Sequence, residues 1–151
     1  MLFRSFVGTG AIESSPAFSP DGRWIAYMSD ETGTPEIYVR PFGRPGGRWQ
    51  ISRGRGTFPY WSKRGEMFYR GAGIMVVPYS AHGESFIPGK PRRWSNVVLP
   101  SLGIGTVSPW DLASDGKRAV AILPDSGEGF PPAKLSFLMN FLDEVQRRTS
   151  K

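Results

Sequence analysis

An all-β fold of repeated antiparallel units is what this 151-residue sequence predicts. The first observation is a phrase that occurs three times: Phe18-Ser19-Pro20-Asp21-Gly22, Trp61-Ser62-Lys63-Arg64-Gly65 and Leu112-Ala113-Ser114-Asp115-Gly116. Each copy precedes a short apolar run (Ile25-Ala26-Tyr27, Met67-Phe68-Tyr69, Ala119-Val120-Ala121), and the anchoring glycines stand 43 and then 51 residues apart. The second observation is a further register mark. Ile74-Met75-Val76-Val77-Pro78-Tyr79 matches Ile37-Tyr38-Val39-Arg40-Pro41-Phe42 position for position. The third is that 19 Gly and 14 Pro punctuate short segments instead of forming one block, the pattern of an all-β chain with many turns. Self-similarity at this period marks supersecondary repeats, most often propeller blades. The expected fold is a partial β-propeller of about three four-stranded antiparallel blades with a short C-terminal helix.

The elements follow in order. Residues 1–12 read as the end of a preceding blade, with its last strand around Leu2 to Val7. Residues 13–53 form a blade: strand Ser15 to Ser19, an Asp21-Gly22 turn, strand Trp24 to Ser29, a turn at 30–33, strand Glu36 to Phe42, and a short strand Trp49 to Ser52. Asp and Gly both tolerate positive φ, which tight hairpins demand. Residues 54–105 form a second blade, with strands Phe58 to Ser62, Met67 to Arg70 and Ile74 to Tyr79 and a tight Gly71-Ala72-Gly73 hairpin. Pro78, like Pro41, is expected to end its strand or meet an edge, because proline cannot donate to a ladder. Residues 80–105 read as a long loop, with a weak strand around Arg93 to Leu99 closing the unit. Residues 106–139 form the last blade, with strands Val107 to Ala113, Arg118 to Leu123 and Leu135 to Met139. In residues 140–151 the period changes: Phe141, Leu142 and Val145 share a helical face, Asn140 is the N-cap, and Arg147 and Arg148 lie in the last turn.

Composition narrows the function. With no cysteine, disulfides, Cys-based zinc sites and thiol catalysis are excluded. No window approaches 18 consecutive apolar residues, so no membrane segment is expected, and residues 1–20 lack the apolar core of a signal peptide. No Gly-x-Ser-x-Gly elbow, HExxH, P-loop, dinucleotide-binding glycine pattern or kinase catalytic motif occurs. The one histidine, His82, reads as a solvated loop residue, and the Asp21 and Asp115 carboxylates as turn residues. Asp125-Ser126-Gly127-Glu128 has too few oxygen ligands for an EF-type calcium loop. No enzyme activity, cofactor or metal is expected.

The net charge of +6 is uneven. Within residues 40–70, Arg40, Arg44, Arg48, Arg53, Arg55, Lys63, Arg64 and Arg70 face only Glu66. Such an excess attracts anionic partners. Arg40, Arg53, Arg55 and Arg70 are the candidate binding residues. Aromatics interleave with these arginines as in nucleic-acid binders, but strand periodicity accounts for the aromatics as core, so nucleic acid is disfavoured.

The segment Pro16-Ala17-Phe18-Ser19-Pro20-Asp21-Gly22-Arg23-Trp24-Ile25-Ala26-Tyr27 with Glu36-Ile37-Tyr38-Val39 resembles the repeat of TolB-like (WD40-like) β-propellers. The tail Leu135-Ser136-Phe137-Leu138-Met139-Asn140-Phe141-Leu142-Asp143-Glu144-Val145 is similar to the end of the C-terminal propeller of bacterial serine/threonine kinase-associated proteins. The second and third copies depart from that pattern, with Lys63-Arg64 in place of Pro-Asp and Ala113-Ser114 in place of Ser-Pro. The resemblance implies a ring of about six blades, of which this chain looks like the C-terminal half. It implies a non-catalytic binding or sensing module of a larger bacterial protein, in a periplasmic or extracytoplasmic setting. Its partners would be a protein or peptide, the remaining propeller half, or a second copy closing the ring as a homodimer. The alternatives are an accessory part of a propeller peptidase or hydrolase, and a truncated product without a role of its own. In a half ring the end faces would be bare and apolar, with Phe18, Trp24, Tyr27, Trp61, Phe68 and Tyr69 as the packing residues between blades.

Overall fold

The computed structural model describes residues 10–97, 99, 108–123 and 134–139. Within them the chain is all-β, with no helix. The first sheet has strand order β1-β2-β3-β4: β1 Glu13–Phe18, β2 Trp24–Ser29, β3 Glu36–Pro41 and β4 Trp49–Gln50. The second has the order β5-β6-β7-β8: β5 Thr57–Trp61, β6 Glu66–Arg70, β7 Ile74–His82 and β8 Ser85–Pro88, with β9 (Arg92–Ser95) also pairing β7. The third is β10-β11-β12: β10 Trp110–Leu112, β11 Arg118–Leu123 and β12 Lys134–Met139. Every pairing is antiparallel between successive strands, apart from β9 returning to β7. The predicted helix over 140–151 and the strand around Leu2 to Val7 lie outside the described residues.

The repeated phrase closes the first hairpin of each sheet. Gly22, Gly65 and Gly116 hold φ of 68°, 73° and 68°, a region glycine enters at no steric cost. In the first copy Ser19 Oγ donates to Asp21 Oδ1 at 2.6 Å and accepts from Trp24 N at 3.0 Å. In the third, Lys117 N donates to Asp115 Oδ1 at 2.9 Å. The aspartates are turn residues.

A further repeat element was hidden in the sequence. Ser15 and Phe58 both take φ 53°, each just before a proline, and each sits where the first strand slips register against the second. These are β-bulges, which add a residue and bend the strand. A bulky residue at positive φ is strained, and here the strain recurs at the 43-residue spacing of the first two glycines.

The sheets stack face to face in chain order. Trp24, Ala26, Met28, Ile37, Val39 and Ile51 of the first meet Met67, Tyr69, Val77 and Phe86 of the second. The second sheet turns its other face, with Phe68, Ile74 and Val76, toward Trp110, Leu112, Ala119 and Ala121 of the third. Alternation along β6 thus feeds two separate cores. Ile25, Tyr27 and Tyr38 are buried as a third cluster on the other face of the first sheet. First strands are tied across sheets. Trp61 Nε1 donates to Ala17 O at 2.9 Å, and the Tyr60 hydroxyl donates to Trp110 O at 2.7 Å. Of the expected packing residues, Trp24, Tyr27, Phe68 and Tyr69 are buried and Trp61 is half-buried. Phe18 is not buried: it is 56% exposed and meets Phe42 edge-on at 4.8 Å.

The stretch read as a long loop differs most. Strand β7 does not stop at Pro78 but changes partner there, pairing β6 up to Pro78 and β8 from Tyr79 onward. Pro78 stands opposite Glu66 without interrupting the bonds on that side, since Tyr79 N still donates to Gly65 O at 2.9 Å, while the Pro78 carbonyl accepts from Gly89 N at 2.7 Å; its fixed φ suits an extended strand. The β7–β8 hairpin buries Phe86 among Trp24, Trp49, Trp61 and Tyr79, with ring centroids 5.2 to 6.1 Å from it. At its tip the Gly83 carbonyl accepts from Arg23 Nη2 and, at 3.0 Å, from Arg44 Nη2. The hairpin therefore latches the second sheet onto the first.

Candidate binding surface

The loop from Ser52 to Gly56, between the first and second sheets, is organised by a buried acid. Glu36 opens β3 and is 3% exposed. Its Oε1 accepts from Gly54 N at 2.7 Å and Arg55 N at 3.0 Å, and its Oε2 accepts from the Ser52 hydroxyl. Ser52 Oγ in turn accepts from Ile37 N at 2.8 Å. This explains why β4 stops at Gln50, short of the expected Ser52: the serine side chain takes the place of a backbone partner. Burial first, and then the charge of Glu36, push the Tyr69 hydroxyl up to about 12.

The loop carries two of the four arginines singled out in the sequence, and strand pairing brings up a third. Arg53 and Arg55 are exposed. Arg55 takes φ 113° between Gly54, at φ 85°, and Gly56. Arg70 closes β6 opposite Thr57, the first residue after the loop, and is half-buried. Its Nη2 donates to Leu99 O at 2.9 Å. Burial first, and then the nearby Arg55 charge, lower the Arg70 guanidinium from its ordinary value. Arg40 stands apart. It pairs with Ile25 four positions along β3 from Glu36, about 13 Å at strand rise, and its charge acts on Tyr27.

Other arginines are committed to neighbours. Arg48 pairs with Glu31 and lies over the Tyr38 ring at 4.6 Å. Arg44 lies over the Trp24 ring at 5.2 Å. Beside Arg48 a shallow concavity of about 450 Å³ is lined by Gly10, Ala11, Asp30, Glu31 and Gly33. Its acids are occupied, Asp30 Oδ1 by Ile12 N at 2.8 Å and Glu31 by Arg48.

Sequence reasoning singled out Arg40, Arg53, Arg55 and Arg70 from charge excess alone; the structure brings Arg53, Arg55 and Arg70 to one loop and strand end and leaves Arg40 apart. That reasoning missed Glu36, whose only signal was an acid at the head of an apolar strand. His82 is exposed at the end of β7. Among the described residues no group of three or more His, Cys, Asp or Glu could hold a metal ion, and no helix is long and apolar enough to cross a membrane. The chemistry present at this surface is that of guanidiniums, groups able to bind oxyanions in a planar fork. No protein-family model matches the sequence.

Proposed function

We propose that the chain is a non-catalytic binding module, the C-terminal half of a TolB-like β-propeller from a larger bacterial protein, whose sheets are blades and whose loops receive a protein or peptide. One observation carries the reading. Three sheets of like strand order, each opened by the same turn, stack face to face while their first strands bond to one another, Trp61 to Ala17 and Tyr60 to Trp110. Radial blades around an axis lined by first strands have this arrangement. Three blades make about half of a six-bladed ring, so a second copy or the remaining half completes it.

Light scattering and small-angle X-ray scattering test this. The expected result is a discrete dimer with ring dimensions, or a monomer that a separately expressed N-terminal half converts to a 1:1 ring. A monomer that unfolds cooperatively and takes up neither partner overturns the half-ring.

A further inference from the structure

We propose that Arg55 and Arg70 form an oxyanion site, and that its ligand is a carboxylate group of an acidic peptide. The peptide assignment rests on the binding-module reading; the oxyanion site rests on the local geometry alone.

The first argument is conformational. Arg55 holds φ 113° between two glycines, where any side chain is strained and glycine is the ordinary choice. The Glu36 carboxylate keeps it there by accepting the N–H groups of Gly54 and Arg55. Strain retained at one arginine, with a buried acid recruited to hold it, is the mark of a side chain wanted at that place.

The second argument is electrostatic. Arg70 is fixed by the Leu99 carbonyl and half-buried, and Arg55 brings a second positive charge to it. Ion pairs among the described residues join Arg48, Arg92 and Arg118 to acids, and neither Arg55 nor Arg70. The nearest acid, Glu36, is buried and already satisfied by two backbone N–H groups and a hydroxyl. Because Thr57 pairs with Arg70 and a Cβ on Gly71 would stand 3.4 Å from Arg55 O, the Arg55 loop lies against the end of β6, and two guanidiniums brought to one place become favourable when an oxyanion bridges them.

The third argument selects the ligand. The aromatic residues flanking the pair, Phe58, Phe68 and Tyr69, are 8%, 1% and 3% exposed. None of these three rings is presented for a base to stack on, and single-stranded nucleic acids depend on such platforms. A peptide carboxylate needs only the guanidinium fork.

The test is fluorescence anisotropy with a labelled deca-glutamate peptide, with inorganic phosphate and a labelled deca-thymidine oligonucleotide as competing probes. The peptide should bind, with affinity falling as salt rises. Arg70→Gln and Arg55→Gly should each weaken it by about tenfold or more. Arg118→Gln, whose arginine pairs with Asp115 on the third sheet, should leave it unchanged. Arg55→Gly should also keep or raise the thermal midpoint, since glycine relieves the backbone strain. Equal losses in all three variants would reduce the site to diffuse charge and overturn it. Tighter binding of the oligonucleotide, or of phosphate with no binding of the peptide, would overturn the peptide assignment. Arg55, Arg70 and Arg118 are not among the side chains packed between the sheets, so these variants should leave the stacking read by scattering in place and failure here is separable from failure of the half-ring.

Discussion

Gly22 and Gly116 share one backbone geometry and differ in what surrounds them. Both hold φ 68°, but a Cβ on Gly22 meets nothing within 4 Å, whereas one on Gly116 would stand 2.8 Å from Ser62 Cβ. Replacing Gly22 with alanine should cost about 1 kcal/mol for the left-handed backbone. The same change at Gly116 should cost about 2–3 kcal/mol, because the third sheet's turn must also lift off Ser62. Urea midpoints of the two variants check this, and equal losses would contradict the contact. Asp21 adds a pH signature. Burial raises its pKa, but the Ser19 hydroxyl, the Arg23 N–H and the Arg23 charge outweigh it and hold the carboxyl below its ordinary 3.8. A depressed folded value means stability fully present above about 3.9, the unfolded value, and lost as pH falls through the folded one. The stability gap between the native chain and Asp21→Asn should therefore be constant above the ordinary carboxylate range and close as pH falls below it; a gap independent of pH would contradict it. Turn chemistry was legible because Asp-Gly is a local instruction. Glu36 was not, because its donors lie 16, 18 and 19 residues away and only the closed loop brings them to it.

At the scale of elements, β2, β6 and β11 could be read almost to the residue, since each follows a turn signal and carries an apolar run. The β7–β8 hairpin could not. Its sequence, Ser80-Ala81-His82-Gly83-Glu84-Ser85, holds polar turn formers, and the one buried anchor beyond them, Phe86, acquires meaning only from rings supplied by β2, β4, β5 and β7. Pro78 misled for a related reason: a residue that ends one ladder can begin another. Phe86→Ala should cost about 3–5 kcal/mol and loosen the first sheet from the second. In hydrogen exchange, the amides of β2 and β3 should lose protection while those of β10 and β11 keep theirs. Uniform loss across all sheets would deny the hairpin its role as a latch.

For the whole molecule, the serial stacking means that each sheet is stabilised by its neighbours and little else. Fold class could be read early because periodicity is a global property that survives drift in any one copy. The charge excess was equally visible, but which arginines share a surface depended on strand pairing, which set Arg70 beside the loop of Arg55 and left Arg40 at the far end of β3. The stacking also sorts the indoles. Trp24, Trp49 and Trp61 lie at the junction of the first two sheets, and Trp94 and Trp110 at the junction of the next two. All five tryptophans of the chain are thereby assigned. Each junction has its own chromophores, with Trp24 and Trp49 at a centroid separation of 5.5 Å, close enough for their transitions to couple. Replacing Trp94 and Trp110 with phenylalanine should leave emission that follows the first junction alone. Under denaturant, a protein built this way displays the order in which its seams open.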